Sequence, residues 1–373
     1  MSLILNDVAK FVTSKIEISE IDETNYISTE NMLPNKGGVI EASSLPDTQT
    51  VREYHSSDIL INNIRPYFKK IWFSDKNGGC SNDVFVLRAK NNYDSKFLYY
   101  VLSSDDFFSY VMSTAKGTKM PRGDKKAIQN YNVPEFPIED QMKISNLLNG
   151  IDQKIEVNKK INRNLLQLSK VTFKNWFVEF GPFDGIQPND WKICALEDVC
   201  DLKAGGDKPK VVSDEITDTC IYPIYSNGLD KDGLYGYTNQ AKIFEESVTV
   251  SARGTIGFVC LRHIPYVSIV RLISVIPKKE FISAKYLYLF LDRLNIIGTG
   301  TTQQQLTIPD FKKTEILVPT LDVIESFTNH LNPIFEKIWI QEEEIKKLSK
   351  LRDTLLPKLM SGEIDVSKIN CDL

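Results

Sequence analysis

Two sets of basic and polar residues, mixed with aromatic and glycine residues, have the composition of nucleic-acid contacts. In the first half they are Asn62, Asn63, Arg65, Tyr67, Lys69 and Lys70, followed by Lys116, Lys119, Arg122, Lys125 and Lys126. In the second half they are Lys203, Lys208, Lys210 and Arg253, followed by Thr302, Gln303, Gln304 and Gln305. Arginine reads guanine, asparagine and glutamine read adenine, and lysine mainly neutralises phosphate. These residues are therefore candidate DNA contacts, with ordinary solvated surface as the alternative.

No catalytic constellation accompanies these residues. The sequence has no Walker A run, no NPPY-like or DPPY-like tetrad of an amino-methyltransferase and no glycine-rich cofactor loop. His55, His263 and His330 are isolated, and the six cysteines include no CxxC pair. We therefore expect that this chain has no catalytic residues and binds no metal and no cofactor by itself.

Composition and charge restrict the class of protein. The 373 residues, with 42% hydrophobic and 25% charged side chains, are typical of a soluble globular protein with two domains. The net charge of −4 does not favour DNA binding, so a DNA surface requires local segregation of basic residues. The sequence contains no signal-peptide pattern and no apolar run of about 18 residues, which predicts a cytoplasmic location and no membrane contact.

Two long helices are the elements that would position the candidate residues. Ile144, Leu148, Ile151, Ile155, Asn158 and Leu165 recur at helical spacing between Asp140 and Phe180. Ile334, Ile338, Gln341, Ile345, Leu348 and Leu355 repeat the pattern near the C-terminal end. The alternation makes a narrow apolar stripe, which predicts packing of one helix on another as a coiled coil. We predict Asp140 as the N-cap of the first helix and Gly181-Pro182 as its stop.

The two helices are predicted to pack antiparallel within the chain. About 40 residues at 1.5 Å each give a helix about 60 Å long. Asn158 and Gln341 lie near the two midpoints, so an antiparallel pair would bring their amides together and fix the register. The alternative is that each faces solvent. Gly150 and Pro333 predict a local bend at equivalent places, with a functional hinge as the alternative.

Landmarks recur in the same order in both halves. Leu5-Asn6-Asp7-Val8 returns as Leu196-Glu197-Asp198-Val199, Lys96-Phe97-Leu98-Tyr99 as Lys285-Tyr286-Leu287-Tyr288, and Val133-Pro134 as Val318-Pro319. The chain is therefore predicted to be a tandem duplication. Globular domains at 1–139 and 181–320 alternate with a long helix at 140–180 and with a second long helix and a tail at 321–373. Short β-branched and aromatic runs predict an α+β fold, rich in strands with short helices, in which the halves are related by a pseudo-two-fold axis. The short helices are predicted in the Lys96–Leu102 and Lys285–Leu291 regions, and each is expected to be followed by a polar loop.

The loops that differ between the halves are the places where two different ligands could be read. Lys119–Lys126 is basic, whereas Thr302–Leu306 is rich in glutamine. The hairpin regions differ as well, because the first half has Ile64-Arg65-Pro66 where the second has Arg253-Gly254-Thr255. Positions that are alike in both halves are predicted to be scaffold.

With these residues assembled, the chain resembles the specificity subunit of type I restriction–modification enzymes. The resemblance covers the whole length. The residues that carry it are Trp191 with Leu196–Val199, SARGTIG (Ser251–Gly257), KYLYLFL (Lys285–Leu291), GTGTTQQQL (Gly298–Leu306), Val318-Pro319 and LLPKLMSGEI (Leu355–Ile364). No single motif is decisive, but the ordered set is specific.

The resemblance implies two target-recognition domains joined by two long antiparallel helices, each domain reading one half of a bipartite DNA target. It also implies that the helices dock two modification subunits, which use S-adenosylmethionine, and that restriction subunits, which use ATP and Mg, join through the complex. Two other readings remain at this point. One is a self-contained DNA methyltransferase or nuclease with fused recognition domains, and the other is a protein-only scaffold.

Overall fold

The computed structural model describes residues 3–298 and 305–366. The chain forms two compact units. Unit one comprises residues 1–157 and 343–373, and unit two comprises residues 158–342. Each unit therefore contains one globular domain together with a portion of each long helix. Across the described ranges, every helix is too short or too polar to cross a membrane.

Among its described residues, unit one has ten strands and four short α-helices, and it contains the start of the first long helix and the end of the second. The strands are β1 (Leu3–Ile4), β2 (Ala9–Phe11), β3 (Lys15–Glu17), β4 (Tyr26–Ile27), β5 (Thr50–Tyr54), β6 (Ile59–Asn62), β7 (Ile71–Phe73), β8 (Gly78–Cys80), β9 (Val84–Ala89) and β10 (Asn132–Val133). The helices are α1 (Leu5–Val8), α2 (Ser95–Leu102), α3 (Asp105–Ser113), α4 (Lys125–Gln129) and the long α5 (Ile138–Phe177). The strands form sheets in the orders β2-β9-β6-β7, β3-β5-β8-β4 and β1-β10.

Unit two repeats this plan. Its strands are β11 (Lys192–Ala195), β12 (Cys200–Ala204), β13 (Tyr222–Tyr225), β14 (Leu234–Thr238), β15 (Ser247–Val250), β16 (Val259–Arg262), β17 (Val267–Ser268), β18 (Ile273–Pro277) and β19 (Glu315–Val318). Its helices are α6 (Leu196–Val199), α7 (Ala284–Arg293), α8 (Ile308–Phe311) and the long α9 (Leu321–Met360), which continues into unit one. The sheets have the orders β12-β18-β15-β16, β14-β13-β17 and β11-β19.

The predicted duplication and the α+β fold class are confirmed by the topology. The sheet β12-β18-β15-β16 reproduces β2-β9-β6-β7 with every neighbour antiparallel, and β11-β19 reproduces β1-β10. The remaining sheets share a parallel pair, β4 with β8 and β13 with β17. In unit one β5 adds to β8, whereas in unit two β14 adds to β13. The two units therefore share a scaffold and differ at the edge of one sheet.

The short helices begin at side-chain caps. The Asp94 carboxylate accepts a hydrogen bond from Phe97 N–H at the start of α2, and Ser283 Oγ accepts one from Tyr286 N–H at the start of α7. Both helices were predicted and are confirmed. The polar loop predicted after α2 is wrong in unit one, because helix α3 lies there with Ser104 as its cap. Its apolar face is buried, and tertiary packing of that face stabilises so short a helix.

Both long helices contain 40 residues. The predicted N-cap at Asp140 is wrong, because α5 begins at Ile138 and the Pro137 carbonyl accepts hydrogen bonds from the N–H groups of Asp140 and Gln141. Asp140 lies in the first turn instead, where its carboxylate complements the helix dipole. Helical structure continues through Gly150 and Pro333.

The helices run antiparallel where they meet in each unit. In unit one Arg352 Nη1 lies 2.9 Å from Asp152 Oδ1, and Lys154 Nζ lies 3.6 Å from Glu344 Oε1. In unit two the Asn162 side-chain amide donates to the backbone carbonyl of Ile338 at 3.2 Å. Because residue numbers rise along one helix as they fall along the other, the predicted antiparallel packing is confirmed.

The buried face of the helices is broader than the predicted stripe. Of the predicted packing residues, Ile144, Leu148, Ile155, Asn158, Ile338 and Gln341 are buried, whereas Ile151, Leu165, Ile334, Ile345, Leu348 and Leu355 are half-buried. Other residues of the helices outside that set are buried too, among them Phe173, Phe177, Phe335 and Leu356. The reason is that each helix packs on a globular domain as well as on the other helix, as when Phe335 meets the ring of Tyr288. The amide pairing of Asn158 with Gln341 stays a prediction.

Candidate nucleic-acid interface

In unit one, the loop between β6 and β7 forms an exposed turn. Arg65 and Lys69 both have left-handed backbone conformations, with φ of 51° and 50°, and a short 3₁₀ helix, Pro66–Phe68, lies between them. Tyr67 and Phe68 are both exposed, and their ring centroids are 4.7 Å apart. The turn therefore presents a guanidinium and two aromatic rings to solvent, which are groups that contact bases and phosphates.

A second loop, residues 116–122, lies against this turn. The N–H of Arg65 donates to the Pro121 carbonyl at 2.8 Å, and the N–H of Gly123 donates to the Asn63 carbonyl at 3.3 Å. Lys116 and Arg122 exchange two backbone hydrogen bonds of 2.9 Å, which close the loop. The two candidate clusters of unit one, separated by some fifty residues in sequence, are thus brought together in one surface.

Carboxylates offset part of the positive charge on this surface. Lys69 Nζ lies 2.8 Å from Asp105 Oδ1, and the hydrogen bond from Lys69 lowers the pKa of Asp105. Arg122 pairs with Asp83 at 3.0 Å, and Lys116 pairs with Asp124. Three other basic candidates of unit one are exposed and have no ion pair within the described ranges; they are Arg65, Lys119 and Lys126.

The side chains of two candidates, Asn62 and Lys70, support the turn from within. Asn62 is buried, where its Oδ1 accepts from Thr29 Oγ1 at 2.9 Å and its Nδ2 donates to the Ile64 carbonyl at 2.6 Å. Lys70 Nζ donates to the Thr29 carbonyl at 2.7 Å, and burial lowers the pKa of Lys70. Asn63 is half-buried, with no hydrogen-bond partner for its Oδ1 in the described part of the chain. We therefore remove Asn62 from the candidate DNA contacts, because both ends of its amide are bonded within the protein.

Lys125 has a separate environment. Its Nζ lies 4.7 Å from the ring centroid of Phe11, a cation–π contact. The ammonium group is exposed and follows the Asp124 cap of α4.

In unit two, the corresponding hairpin loop lies between β15 and β16. Arg253 Nε donates to Gln305 Oε1 at 2.9 Å, and Leu306 N–H donates to the Ala252 carbonyl at 3.0 Å. Here too the hairpin loop meets the loop that precedes the last short helix of the unit, α8 in unit two and α4 in unit one. Gln303, Gln304 and Thr302 lie outside the described residues.

The other candidates of unit two lie on β12 and on the loop after it. Lys203 and Lys210 are exposed. Lys208 Nζ donates to Tyr235 Oη at 2.8 Å and lies 4.8 Å from the centroid of that ring. Gly205 lets the chain approach a neighbouring strand closely, since a Cβ there would meet the backbone of Ile269 at 2.8 Å.

Asn227, which the sequence did not single out, connects these loops. Its Nδ2 donates to the Val270 carbonyl at 2.7 Å, and its Oδ1 accepts from the N–H of Ala252 at 2.7 Å. The next residue after Val270, Arg271, donates from its backbone N–H to the Gly205 carbonyl at 2.9 Å. Hydrogen bonds therefore connect Gly205, the turn at Val270 and the hairpin loop that carries Arg253, which in turn bonds to Gln305.

The same connection exists in unit one. Thr29 follows strand β4 by two residues and bonds to Asn62, just as Asn227 follows β13 by two residues and bonds to Ala252. Thr29 and Asn227 could have been found from the sequence only by aligning the parallel strands, which are short and weakly patterned. Both units thus use one scaffold to hold two loops together, with different side chains on top.

Groups suited to catalysis are not assembled in the part of the chain that the structure describes. No three His, Cys, Asp or Glu side chains among residues 3–298 and 305–366 are grouped so that they could hold a metal ion. Burial raises the pKa of the Cys80 and Cys200 thiols to about 12, which keeps them protonated at neutral pH.

Comparison with known proteins agrees with this architecture. The profile described as "Type I restriction modification DNA specificity domain" matches twice, at residues 5–167 and 188–357. The chain is 24% identical to the type I restriction enzyme HindI specificity subunit of Haemophilus influenzae, over 96% of this chain and 98% of that one. It is 25% identical to the MjaIX specificity subunit of Methanocaldococcus jannaschii, over 75% and 71%. The crystal structure of a type I restriction-modification S subunit from M. genitalium has the same fold, with a TM-score of 0.64 at 16% identity, covering 96% of each chain.

Proposed function

The chain belongs to the type I restriction modification DNA specificity family, and we propose that it reads a bipartite DNA target while its long helices dock the subunits that carry out the chemistry. In this proposal each globular domain reads one half of the target. The observation that carries it is the paired-loop surface found once in each unit, formed by the turns at Arg65 and Pro121 in unit one and at Arg253 and Gln305 in unit two.

The two surfaces carry different chemistry, which supports unlike half-sites. Unit one offers a guanidinium beside exposed aromatic rings and a lysine-rich loop. Unit two offers an arginine held by a glutamine. Arginine favours guanine and glutamine favours adenine, so two such surfaces would select different bases.

The long helices support a role in spacing. Each has 40 residues, which corresponds to a length of about 60 Å. One turn of DNA spans about 34–36 Å, so readers held by such helices could contact one face of a duplex on either side of a few unread base pairs. The helices would then determine the gap between the two half-sites.

Exposed apolar residues on the helices support two equivalent docking surfaces. Three exposed apolar residues of α5 have an exposed apolar counterpart on α9, 183 positions later, which is the offset between the two helices: Ile138 and Leu321, Val157 and Ile340, and Leu168 and Leu351. Exposed apolar patches on a protein mark surfaces that contact a partner. Because the same set occurs once per repeat, two copies of one partner fit better than one, and we propose two modification subunits.

The reaction chemistry is proposed to lie on those partners. Modification subunits would supply S-adenosylmethionine, and restriction subunits would supply ATP and Mg, so this chain would bind no cofactor of its own. The relatives named above come from organisms without a nucleus, and by this likeness an assembly that reads DNA would lie in the cytoplasm.

Selection of DNA targets from a random duplex pool tests the proposal. The full chain, alone and with a modification subunit, should enrich two short base blocks separated by a gap of constant length. Arg253→Ala should erase preference in one block and Arg65→Ala in the other. Lys313→Ala, an exposed cation after α8, is the control and should change neither block. One continuous block, or enrichment that both arginine variants alter identically, would contradict the proposal.

The same preparation separates the alternatives. A protein-only scaffold would show no salt-dependent DNA binding. A DNA-binding chain would lose affinity with salt, because log affinity plotted against log salt concentration has a slope of about −0.9 for each phosphate neutralised. A self-contained methyltransferase would transfer methyl groups to DNA without added subunits.

A further inference from the structure

The connection between β17 and β18 in unit two is a strained turn. Leu272 N–H donates to the Ile269 carbonyl at 3.1 Å, and the two central residues, Val270 and Arg271, have φ of 53° and 61°. Positive φ at both central positions defines a type I′ turn, in which glycine, asparagine and aspartate are the usual residues. A β-branched residue such as valine is a marked exception there.

Neighbouring loops hold the turn in this conformation. Val270 N–H donates to the Gly206 carbonyl at 3.0 Å, and Arg271 N–H donates to the Gly205 carbonyl at 2.9 Å. The Asn227 amide donates to the Val270 carbonyl at 2.7 Å. Disfavoured backbone conformations persist where the surroundings determine them, and they concentrate at functional sites.

The turn presents an unusual pair of side chains to solvent. Val270 is 53% exposed, and Arg271 is exposed with no ion pair in the described part of unit two. Through Asn227 the turn adjoins the hairpin loop that carries Arg253. An apolar side chain and a guanidinium therefore stand side by side at the edge of the proposed reading surface.

Unit one has a different turn at the equivalent place. Val84 N–H donates to the Ser81 carbonyl at 3.0 Å, so Asn82 and Asp83 occupy the central positions, between β8 and β9. Neither of them has positive φ. Asp83 pairs with Arg122. The same point of the scaffold thus carries an acidic side chain in unit one and a basic side chain in unit two.

We propose that the Val270–Arg271 turn is a base-reading element of unit two. The Arg271 guanidinium would donate to O6 and N7 of a guanine in the major groove, and the Val270 methyl groups would contact the C5-methyl of an adjacent thymine. This inference rests on the proposed function. It assigns base contacts to two residues, Val270 and Arg271, that are not among the DNA contacts predicted from the sequence.

Three variants of the full chain test the inference in the target-selection assay. Arg271→Ala removes the guanine donor. Val270→Asn combined with Arg271→Asp installs the side chains of unit one, which tolerate positive φ, so this variant should keep its melting temperature even if the alanine variant does not. Lys279→Ala is the matched control, because Lys279 is an exposed cation just beyond the other end of β18.

Arg271→Ala should abolish the preference at one guanine and weaken binding to the best target about 5- to 150-fold. The double variant should lose both that guanine and the neighbouring thymine, while the block read by unit one stays unchanged. Lys279→Ala should select the wild-type target. Selection of the same bases by Arg271→Ala, with affinity within about twofold, would overturn the inference and leave the proposed function standing. Wild-type chain that selects no sequence would overturn both.

Discussion

Truncating Phe327 to alanine should show how strongly the packing of the long helices on each other and on the globular domain stabilises unit two. Phe327 lies on α9 and is fully buried. Its ring centroid lies 4.7 Å from that of Phe177 and 5.5 Å from that of Trp176, both on α5, and 6.4 Å from that of Tyr286 on α7. One side chain therefore connects both long helices to the globular domain.

The expected loss is large. Removing a fully buried phenylalanine costs about 3–5 kcal/mol, because apolar transfer energy is lost and a cavity remains. Of this total, about 0.5–1.5 kcal/mol comes from the edge-to-face pairing of the Phe327 ring with the Phe177 ring. Since domains of this size are stable by about 5–15 kcal/mol, the change should remove a large fraction of the stability of unit two.

Denaturant unfolding followed by tryptophan fluorescence can measure this loss selectively. Of the four tryptophans, Trp176, Trp191 and Trp339 lie in unit two and only Trp72 lies in unit one. The fluorescence transition therefore reports mainly on unit two. Its midpoint should move to lower denaturant concentration in Phe327→Ala, and an earlier transition separate from that of unit one should appear.

Ile340→Ala is the matched control, because Ile340 lies on the same helix and is 63% exposed. Its unfolding free energy should change by no more than about 0.5 kcal/mol. If Phe327→Ala shifts the transition no more than this control does, the helix is not anchored to the domain through Phe327 and the reasoning fails.

Three further predictions follow from the site and the helices. Lys69→Met should raise the pKa of Asp105 toward its ordinary value in an NMR titration. Because the pKa of Asp105 is lowered in the folded chain, its ion pair with Lys69 stabilises the fold at neutral pH, and this stabilisation is lost as the pH falls below about 4. An unmoved titration would exclude the ion pair. Iodoacetamide at pH 8 should label the half-buried Cys194 much faster than Cys200, whose pKa burial raises to about 12, as peptide mass spectrometry can check; equal rates would contradict this difference in burial. Inserting seven residues in both α5 and α9 lengthens them by about 10 Å, which should widen the gap between the selected base blocks by about three base pairs. An unchanged gap would refute the spacing role.

Much of the architecture could be read from local pattern. Three-four alternation around Ile144 and Ile338 predicted two long helices, and recurrence of Leu5-Asn6-Asp7-Val8 as Leu196-Glu197-Asp198-Val199 predicted the duplication. These signals are readable because helical periodicity and repeated sequence are properties of neighbouring residues. The boundaries were less accurate, since Asp140 has the composition of a cap but lies inside the first turn.

The sequence by itself determined that the chain has two similar halves, two long helices and candidate contacts of the right chemical type. Only the tertiary structure decided which candidates face solvent and which loops meet. Asn62 and Arg65 look alike as candidates, yet one is buried in the scaffold and the other is exposed on the turn. The meeting of Arg253 with Gln305, and the strained turn at Val270, depend on hydrogen bonds between residues distant in sequence. Local composition carries no record of such contacts, because they form only when the strands of each domain pair and bring the loops together.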